Sequence, residues 1–231
     1  MLSLNSVGGG VRMAKRGTAS RPGARDSDAS VQTRRALIAA TIETLAEDGF
    51  AGASARRIAA RAHSNQALVF YHFGSVANLL LAALDAVSVD RLARYGEVVA
   101  QASTVTELAG VAQTIFEEDL DAGYVTVLVE LIGGSRSIPG FGEEISERIK
   151  VWTEFAQQAI DAAVDPVLLA ATLPSSEIAY AAVAMYLGLE MLTHLDGDRS
   201  GATALFERGR HLLGLAEVLG ILPTHGQAET L

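Results

Sequence analysis

Residues 75–221 constrain the fold most strongly, because their apolar side chains recur at helical spacing throughout. No alternation of apolar and polar residues between hairpin turns occurs in this stretch, so no sheet is predicted. Pro139, Pro166 and Pro174 fall between the periodic segments, where prolines end helices. The pattern predicts an all-α body with helices near 75–101, 104–121, 123–134, 141–164, 175–195 and 201–220.

The last two predicted helices each carry an apolar seam. Within 178–192 and 205–219, apolar side chains repeat three or four positions apart, the spacing of helices that cross at shallow angles. Such seams either pack within one subunit or form a four-helix bundle between two copies. We expect a homodimer, because a monomer would expose large apolar patches. The interface candidates are Ile178, Ala182, Met185, Leu189, Leu192, Leu205, Leu212, Leu215 and Leu219.

The net charge of −9 is unevenly distributed, because the N-terminal part of the chain is positively charged. Residues 1–76 carry ten Lys and Arg against five Asp and Glu, whereas residues 77–231 carry eight against twenty-two. A basic front on an acidic body indicates that one end contacts a polyanion, although a solubilising leader is the alternative. The absence of cysteine excludes disulfides, thiolate metal sites and cysteine nucleophiles.

Residues 1–29 are rich in Gly, Ser, Ala and Arg and lack apolar periodicity, which predicts a disordered basic tail. Residues 1–13 lack the apolar stretch of a secretory signal, and Met13 is an alternative start. The longest apolar run of the second half, residues 178–189, is too short to cross a bilayer. We therefore expect a soluble, cytoplasmic protein.

Residues 30–76 are predicted to form three helices, near 31–48, 54–62 and 66–72. Ser54 and Asn65 are suitable N-caps for the second and third. Two short helices joined by a tight turn behind a longer helix form a helix-turn-helix. Guanidinium and carboxamide groups pair with bases, while hydroxyl and imidazole groups donate to phosphates. The outward face offers such groups and no carboxylate: Arg56, Arg57, Gln66, Tyr71 and His72.

Residues 33–81 resemble the DNA-binding domain of the TetR family of transcriptional regulators, most specifically in the segment Phe70-Tyr-His-Phe-Gly-Ser75. The resemblance implies a homodimer on a palindromic double-stranded DNA operator, with one recognition helix per subunit. It also implies that residues 77–231 form a helical ligand-binding and dimerisation domain. Repression is then relieved by a small-molecule effector.

The resemblance assigns roles to individual residues of the helix-turn-helix. Positions that read bases are occupied by Arg56, Gln66, Ala67, Leu68 and Phe70, and positions that contact phosphates by Ser54, Arg57, Tyr71, His72 and Ser75.

Three departures from the family pattern affect the operator sequence more than DNA binding itself. His63-Ser64 stands where Gly-Val is common, so His63 must adopt a positive φ or change the turn. Val76 replaces a common lysine, which removes one phosphate contact. Leu68 and Phe70 replace residues that usually bear hydroxyls.

The middle helices carry aromatic and apolar side chains at helical spacing, which is more typical of a core than of a pocket. The resemblance places the family's ligand cavity among these helices, and such cavities are mostly apolar with a few polar groups. Glu130 is the candidate polar group, with a solvated helix face as the alternative. The pocket candidates are Phe116, Leu120, Tyr124, Leu128, Glu130, Trp152, Phe155, Met185 and Tyr186.

Residues 196–207 match the oxygen-ligand spacing of a calcium loop through Asp196, Asp198, Ser200 and Glu207. We favour a turn in which Ser200 caps the final helix and the aspartates are solvated. No cofactor or metal is predicted, and no nucleophile stands beside a general base. The predicted function is therefore a ligand-responsive DNA-binding regulator. The alternative is a helical enzyme or carrier with an incidental helix-turn-helix.

Overall fold

A computed structural model describes residues 22–164 and 173–222 and contains no strand in these ranges. The predicted all-α fold is confirmed, and the six body helices lie within two residues of their predicted bounds. The helices are α1 (Pro22–Gly52), α2 (Ala55–Arg61), α3 (Gln66–Phe73), α4 (Val76–Gln101), α5 (Val105–Ala122), α6 (Tyr124–Gly134), α7 (Phe141–Ala163), α8 (Ser175–Asp196) and α9 (Ser200–Val218).

The first helix begins earlier than its periodicity predicts. The prediction of a disordered tail is wrong over residues 22–29, which belong to α1, while residues 1–21 lie outside the described ranges. Proline has a backbone suited to a first helical turn, so Pro22 is a favourable start. The break in α1 comes at Gly49, whose φ of 68° and ψ of −177° turn the chain before Phe50. Glycine adopts this conformation without a steric penalty.

The helix-turn-helix forms through local caps and a small core. The Ser54 hydroxyl accepts a hydrogen bond from the Arg57 amide, and the Asn65 side chain accepts one from the Ala67 amide. Both predicted N-caps are thus present, and each satisfies an amide that its helix leaves without a partner. His63 adopts the positive φ that its turn position requires, at 48°. This turn holds Val69 of α3 against Ile58 of α2 in a buried core.

One hydrophobic core crosses the predicted domain boundary at residue 76. It joins Leu37 and Leu45 of α1 to Val127 and Leu131 of α6, all of which are fully buried. Helix α4 continues directly from the helix-turn-helix into the body, with its N-terminus capped by Ser75. A movement of α4 or α6 therefore acts on the packing of the first three helices.

Helix α8 is the single helix of the described ranges that is long and apolar enough to cross a membrane, so the expectation that this segment is too short is wrong on length and composition. Helices α3 and α4 meet the same criterion only if taken together across a 72° bend. In this fold α8 packs along α7 and buries the carboxylate-bearing Glu190. Only 17% of the apolar window of α8 is buried within the described residues, so much of its apolar side remains exposed.

The segment from Asp196 to Ser200 is a tight turn between α8 and α9. The Asp196 carboxylate accepts from the Asp198 amide, and the Asp198 carboxylate accepts from both the amide and the hydroxyl of Ser200. Asp198, and not Ser200 as predicted, therefore supplies the side-chain acceptor at the start of α9. The calcium-loop alternative does not fit, because residues from Ser200 to Glu207 are already helical.

Candidate DNA-binding surface and ligand cavity

The helix-turn-helix presents one exposed face built from α2 and the N-terminal end of α3. Arg56, Gln66 and Ala67 are exposed, and Phe70 is 47% exposed although it is apolar. Leu68 is half-buried and packs partly against the core. Val69 and Phe73 face inward, as predicted, and anchor α3 to the helices behind it. The predicted base-reading side chains therefore share one surface, with Leu68 at its inner edge.

The arginines of α2 differ in how far their charge is already paired. Arg61 lies 2.7 Å from the Glu47 carboxylate and also contacts Glu43 and Asp48. Arg57 lies 3.4 Å from Asp48. Arg56 has no ion pair or hydrogen bond from its side chain within the described ranges. Its guanidinium is thus the one in α2 that is fully available to a base edge or phosphate.

The predicted phosphate-contacting residues surround this face. Tyr71 is 78% exposed, and His72 is half-buried with its ring edge-on to Tyr71 at 5.0 Å. Ser54 and Ser75 accept hydrogen bonds from backbone amides of their own helices. Because an accepting hydroxyl keeps its own proton, both serines can still donate to a phosphate oxygen.

We expect Arg56→Ala to weaken specific DNA binding by about 1–3 kcal/mol and to relax specificity at one base pair. Arg57→Ala is the matched control, because its charge is partly neutralised by Asp48. It should lower affinity for all sequences alike and by less. Both are measured by fluorescence anisotropy against operator and scrambled duplexes. Equal losses on the two duplexes for Arg56→Ala would contradict its placement on the reading face.

The body contains a cavity of about 160 Å³. Aromatic rings form one wall, with Trp152 and Phe155 of α7 facing Tyr186 of α8. The rings of Trp152 and Phe155 meet edge-on, 6.0 Å apart. The whole lining comprises Arg91, Ala112, Ile115, Leu128, Ile149, Trp152, Phe155, Ala156, Ala182, Val183, Tyr186 and Leu187.

Four predicted pocket residues lie on this lining: Leu128, Trp152, Phe155 and Tyr186. The other five do not. Phe116 is fully buried between Tyr186 and Phe206, so it belongs to the core, and Leu120 is half-buried on α5. Tyr124 donates to Asp90 at the surface, and Met185 is 51% exposed. The family resemblance indicated the middle helices α5 to α8 but not α4, and helical spacing did not show which side of each helix faces the cavity.

Glu130 does not belong to the cavity either. Its carboxylate accepts a hydrogen bond of 2.7 Å from the backbone amide of Phe50, at the end of α1. A Cβ at Gly49 would lie 2.9 Å from the same carboxylate, so a larger residue there would displace the Glu130 side chain in addition to straining the backbone. Glu130 therefore ties α6 to the helix-turn-helix, and neither predicted role for it is correct.

The polar edge of the cavity is a buried ion pair that periodicity alone did not predict. Arg91 of α4 donates through Nε and Nη2 to both carboxylate oxygens of Asp119 on α5, and Nε lies 3.1 Å from Oδ1. Tyr186 donates to Asp119 at 2.5 Å and Tyr95 at 3.2 Å. The Arg91 guanidinium also lies over the Trp152 ring, 4.2 Å from its centroid. Burial raises the pKa of both tyrosines, so they remain neutral donors.

A signal for this pair is present in the sequence. Val87, Arg91, Tyr95 and Val99 are buried at four-residue intervals on α4. Arg91 thus occupies an apolar stripe position, and Asp119 likewise follows Phe116 on the buried side of α5. A charge in such a position indicates a buried partner, because an unpaired charge is too costly to bury.

The apolar seams differ in how they face solvent. On α9 the predicted residues Leu205, Leu212, Leu215 and Leu219 are 46–71% exposed and form one stripe. On α8 Met185 and Leu192 are exposed, but Ile178 and Leu189 are half-buried, and Ala182 lines the cavity. The interface role of Ala182 stays a prediction, although in one subunit its side chain contributes to the cavity wall. The exposed apolar side of α8 also carries Met191 and Leu195, because α7 and the cavity lie against the opposite side of the helix.

The helix-turn-helix exposes basic and amide-bearing side chains, and α4 joins it to a helical body with an apolar cavity. This arrangement is typical of helix-turn-helix DNA-binding proteins. Residues 37–83 match the model of bacterial regulatory proteins of the tetR family. No curated protein matches the chain.

Solved structures with the same fold cover most of the chain. A TetR-family member from Streptomyces coelicolor A3 is 24% identical, with a TM-score of 0.56, over 76% of this chain and 96% of that one. The fatty acid degradation regulator FadR from Bacillus halodurans is 15% identical, with a TM-score of 0.65, over 78% and 93%. FadR from Bacillus subtilis, in complex with stearoyl-CoA, is 14% identical, with a TM-score of 0.63, over 78% and 96%.

The helix-turn-helix of this chain is therefore similar to the DNA-binding domain of bacterial regulatory proteins of the tetR family, and the described helices share the fold of these solved structures.

Proposed function

We propose that the protein is a cytoplasmic, non-enzymatic repressor that binds a palindromic operator as a homodimer and is released by a small apolar or aromatic molecule. The aromatic cavity carries this proposal, because it lies in the helices that continue into the DNA-binding domain. A cavity of roughly 150 Å³ with apolar walls holds a benzene-sized molecule. The cavity here is of that size and is lined almost entirely by carbon.

Two helices connect the cavity to the helix-turn-helix. Helix α4 supplies Arg91 to the lining and begins directly after the recognition helix α3. Helix α6 supplies Leu128 and, two residues later, the Glu130 carboxylate that binds the Phe50 amide. A ligand that shifts either helix changes the spacing of the two recognition helices in a dimer. Because these must fit successive major grooves about one helical turn apart, such a shift weakens DNA binding.

The solved structure of Bacillus subtilis FadR with stearoyl-CoA supports a ligand site in proteins of this fold. That ligand belongs to FadR, and the chemistry of the cavity described above decides the class proposed here. Aromatic walls with one paired arginine favour a compact aromatic molecule.

The test is a ligand titration with and without DNA. A panel of single-ring aromatic compounds is screened by Trp152 fluorescence, and an operator is selected from random-sequence duplexes. We expect the binding compound to lower operator affinity about 5–150-fold, with operator weakening the compound by the same factor, because the coupling is reciprocal. Phe155→Ala should weaken the compound without changing DNA affinity in its absence. A compound that binds free and DNA-bound protein equally would overturn the proposed induction.

The exposed α9 stripe supports a second copy of this chain as its occupant. Leu212 and Leu219 are 65% and 71% exposed, respectively, and Leu192 and Leu195 of α8 extend the apolar surface. We expect Leu212→Arg with Leu219→Arg to convert the dimer to a monomer in multi-angle light scattering, because buried charges would be left unpaired. Val89→Arg, at a similarly exposed apolar position on α4, should leave the dimer intact. An unchanged mass for the double variant excludes this interface.

A further inference from the structure

Glu190 of α8 carries a buried carboxyl group whose oxygens make no hydrogen bond to any described residue. Its side chain is fully buried. Buried carboxyl groups are normally paired or hydrogen-bonded, so such a group requires an explanation. Its position in the sequence, in the middle of an apolar helix, gives no structural need for a charge.

Glu190 continues the face of α8 that lines the cavity. Ala182, Val183, Tyr186 and Leu187 line it, and Glu190 follows Tyr186 by four residues and Leu187 by three. Residues so spaced are neighbours on a helix, with Cβ atoms about 5–6 Å apart. Glu190 is not part of the lining, but it lies one helical turn beyond it on the same face of α8.

The charges around Glu190 do not balance. Its electrostatic neighbours are Asp119, Arg91 and Tyr186. Arg91 is the only cation among them, and two of its nitrogens already donate to Asp119. The Tyr186 hydroxyl lies close enough to Glu190 to lower its pKa, but it donates its single proton to Asp119 at 2.5 Å. An ionised Glu190 therefore leaves an excess negative charge at this end of the cavity.

We propose that the ligand of this cavity is a protonated arylalkyl amine, whose ring packs against Trp152 and Phe155 and whose ammonium group donates to Glu190. The proposal rests on the cavity being the ligand site described above. An ammonium group has three donors and one positive charge. It can therefore donate to the Glu190 oxygens that lack a hydrogen bond and compensate the excess negative charge. An anionic ligand would instead face Asp119 and Glu190 and compete with Asp119 for Arg91.

The protonation of Glu190 in the empty protein is consistent with this role. Burial, reinforced by the negative charge of Asp119, raises the pKa of Glu190 to about 8. Near neutral pH the empty site therefore holds a proton, which a bound ammonium group replaces. Amine binding should consequently release a proton and strengthen as the pH rises toward 8.

The test compares two molecules of the same shape, phenylpropylammonium and butylbenzene, on the full chain by Trp152 fluorescence and calorimetry. For Glu190→Gln we expect the affinity ratio of ammonium to hydrocarbon to fall roughly 10- to 100-fold, the loss of one charge-assisted hydrogen bond. Butylbenzene affinity should stay within about twofold, since the ring site is untouched. In the unmodified protein, ammonium affinity should fall roughly tenfold per pH unit below about 8, while butylbenzene affinity stays constant.

Glu154→Gln, at an exposed glutamate of the cavity helix α7, is the matched control and should leave the ratio unchanged. The result separates the two proposals. Suppose that butylbenzene binds and weakens DNA binding, but Glu190→Gln changes the ratio of ammonium to hydrocarbon affinity no more than Glu154→Gln does. The assignment of Glu190 is then wrong and the induction mechanism stands. If neither molecule changes Trp152 fluorescence, both proposals fail.

Discussion

Asp119→Asn should destabilise the protein by about 3–5 kcal/mol, because it breaks a buried ion pair and removes the carboxylate to which the Arg91 guanidinium donates. Arg91 is 8% exposed and Asp119 is fully buried, so water cannot replace the lost partner. The two tyrosine hydroxyls that donate to Asp119 also lose part of their acceptor. The measurement is urea unfolding at one fixed protein concentration, since dimerisation contributes to stability.

Helix α5 offers a matched control for this prediction. Asp121, two residues further on, pairs with Arg199 at 2.9 Å, but its side chain is 68% exposed. Exposed ion pairs contribute less than about 1 kcal/mol, so Asp121→Asn should leave the free energy of unfolding nearly unchanged. A difference below about 1 kcal/mol between the two variants would show that the Arg91–Asp119 pair does not support the fold. Replacing both members by Met and Leu should recover much of the stability, because an apolar pair needs no charge balance.

Glu190 should make the stability of the protein depend on pH. Desolvation raises its pKa from 4.5 to about 8; the nearby Tyr186 hydroxyl opposes this, the charge of Asp119 reinforces it, and Arg91 opposes it. A raised folded-state pKa means that the neutral form stabilises the fold. That contribution is complete below the unfolded pKa and is lost as the pH rises through the folded pKa, at about 1.4 kcal/mol per pH unit.

Glu190→Gln removes this ionisation while keeping the side-chain shape. We expect the variant to gain stability relative to the unmodified protein as the pH rises from about 5 to about 8, with a difference of the order of 4 kcal/mol at the upper end. Thermal and urea unfolding at several pH values measure the difference. Glu154→Gln, which changes the same charge on an exposed surface, should show no such trend. A pH-independent difference for Glu190→Gln would mean that Glu190 is ionised in the folded protein at all these pH values.

These two stability effects and the proposed ligand chemistry originate in one cluster. Arg91, Asp119, Tyr186 and Glu190 come from three helices and meet at the end of the aromatic cavity. The cationic ligand proposed above binds at this cluster and therefore contacts groups of α4, α5 and α8 at once. Because α4 continues into the DNA-binding domain, the same cluster is placed to influence operator binding.

The sequence by itself determined the helices and the DNA-binding motif. Helix ends depend on groups within about four residues, so Ser54 and Asn65 are recognisable as caps without any tertiary information. The exposed face of the helix-turn-helix follows from the same local periodicity, with Arg56 and Gln66 outward and Val69 inward. The α9 stripe was predictable for this reason as well.

The tertiary structure decided which side of each body helix faces the cavity, the core or solvent. Ala182 lies in an apolar seam, but only the position of α7 turns it toward the cavity. From the sequence, Glu130 is predicted to be a pocket or surface residue. Only the packing of α1 on α6 brings the Phe50 amide, eighty positions away, to its carboxylate. Arg91 and Asp119 likewise meet only through packing of α4 on α5. Helical spacing records that a residue lies on a stripe, whereas its partner across the helix interface is a long-range property that no local pattern encodes.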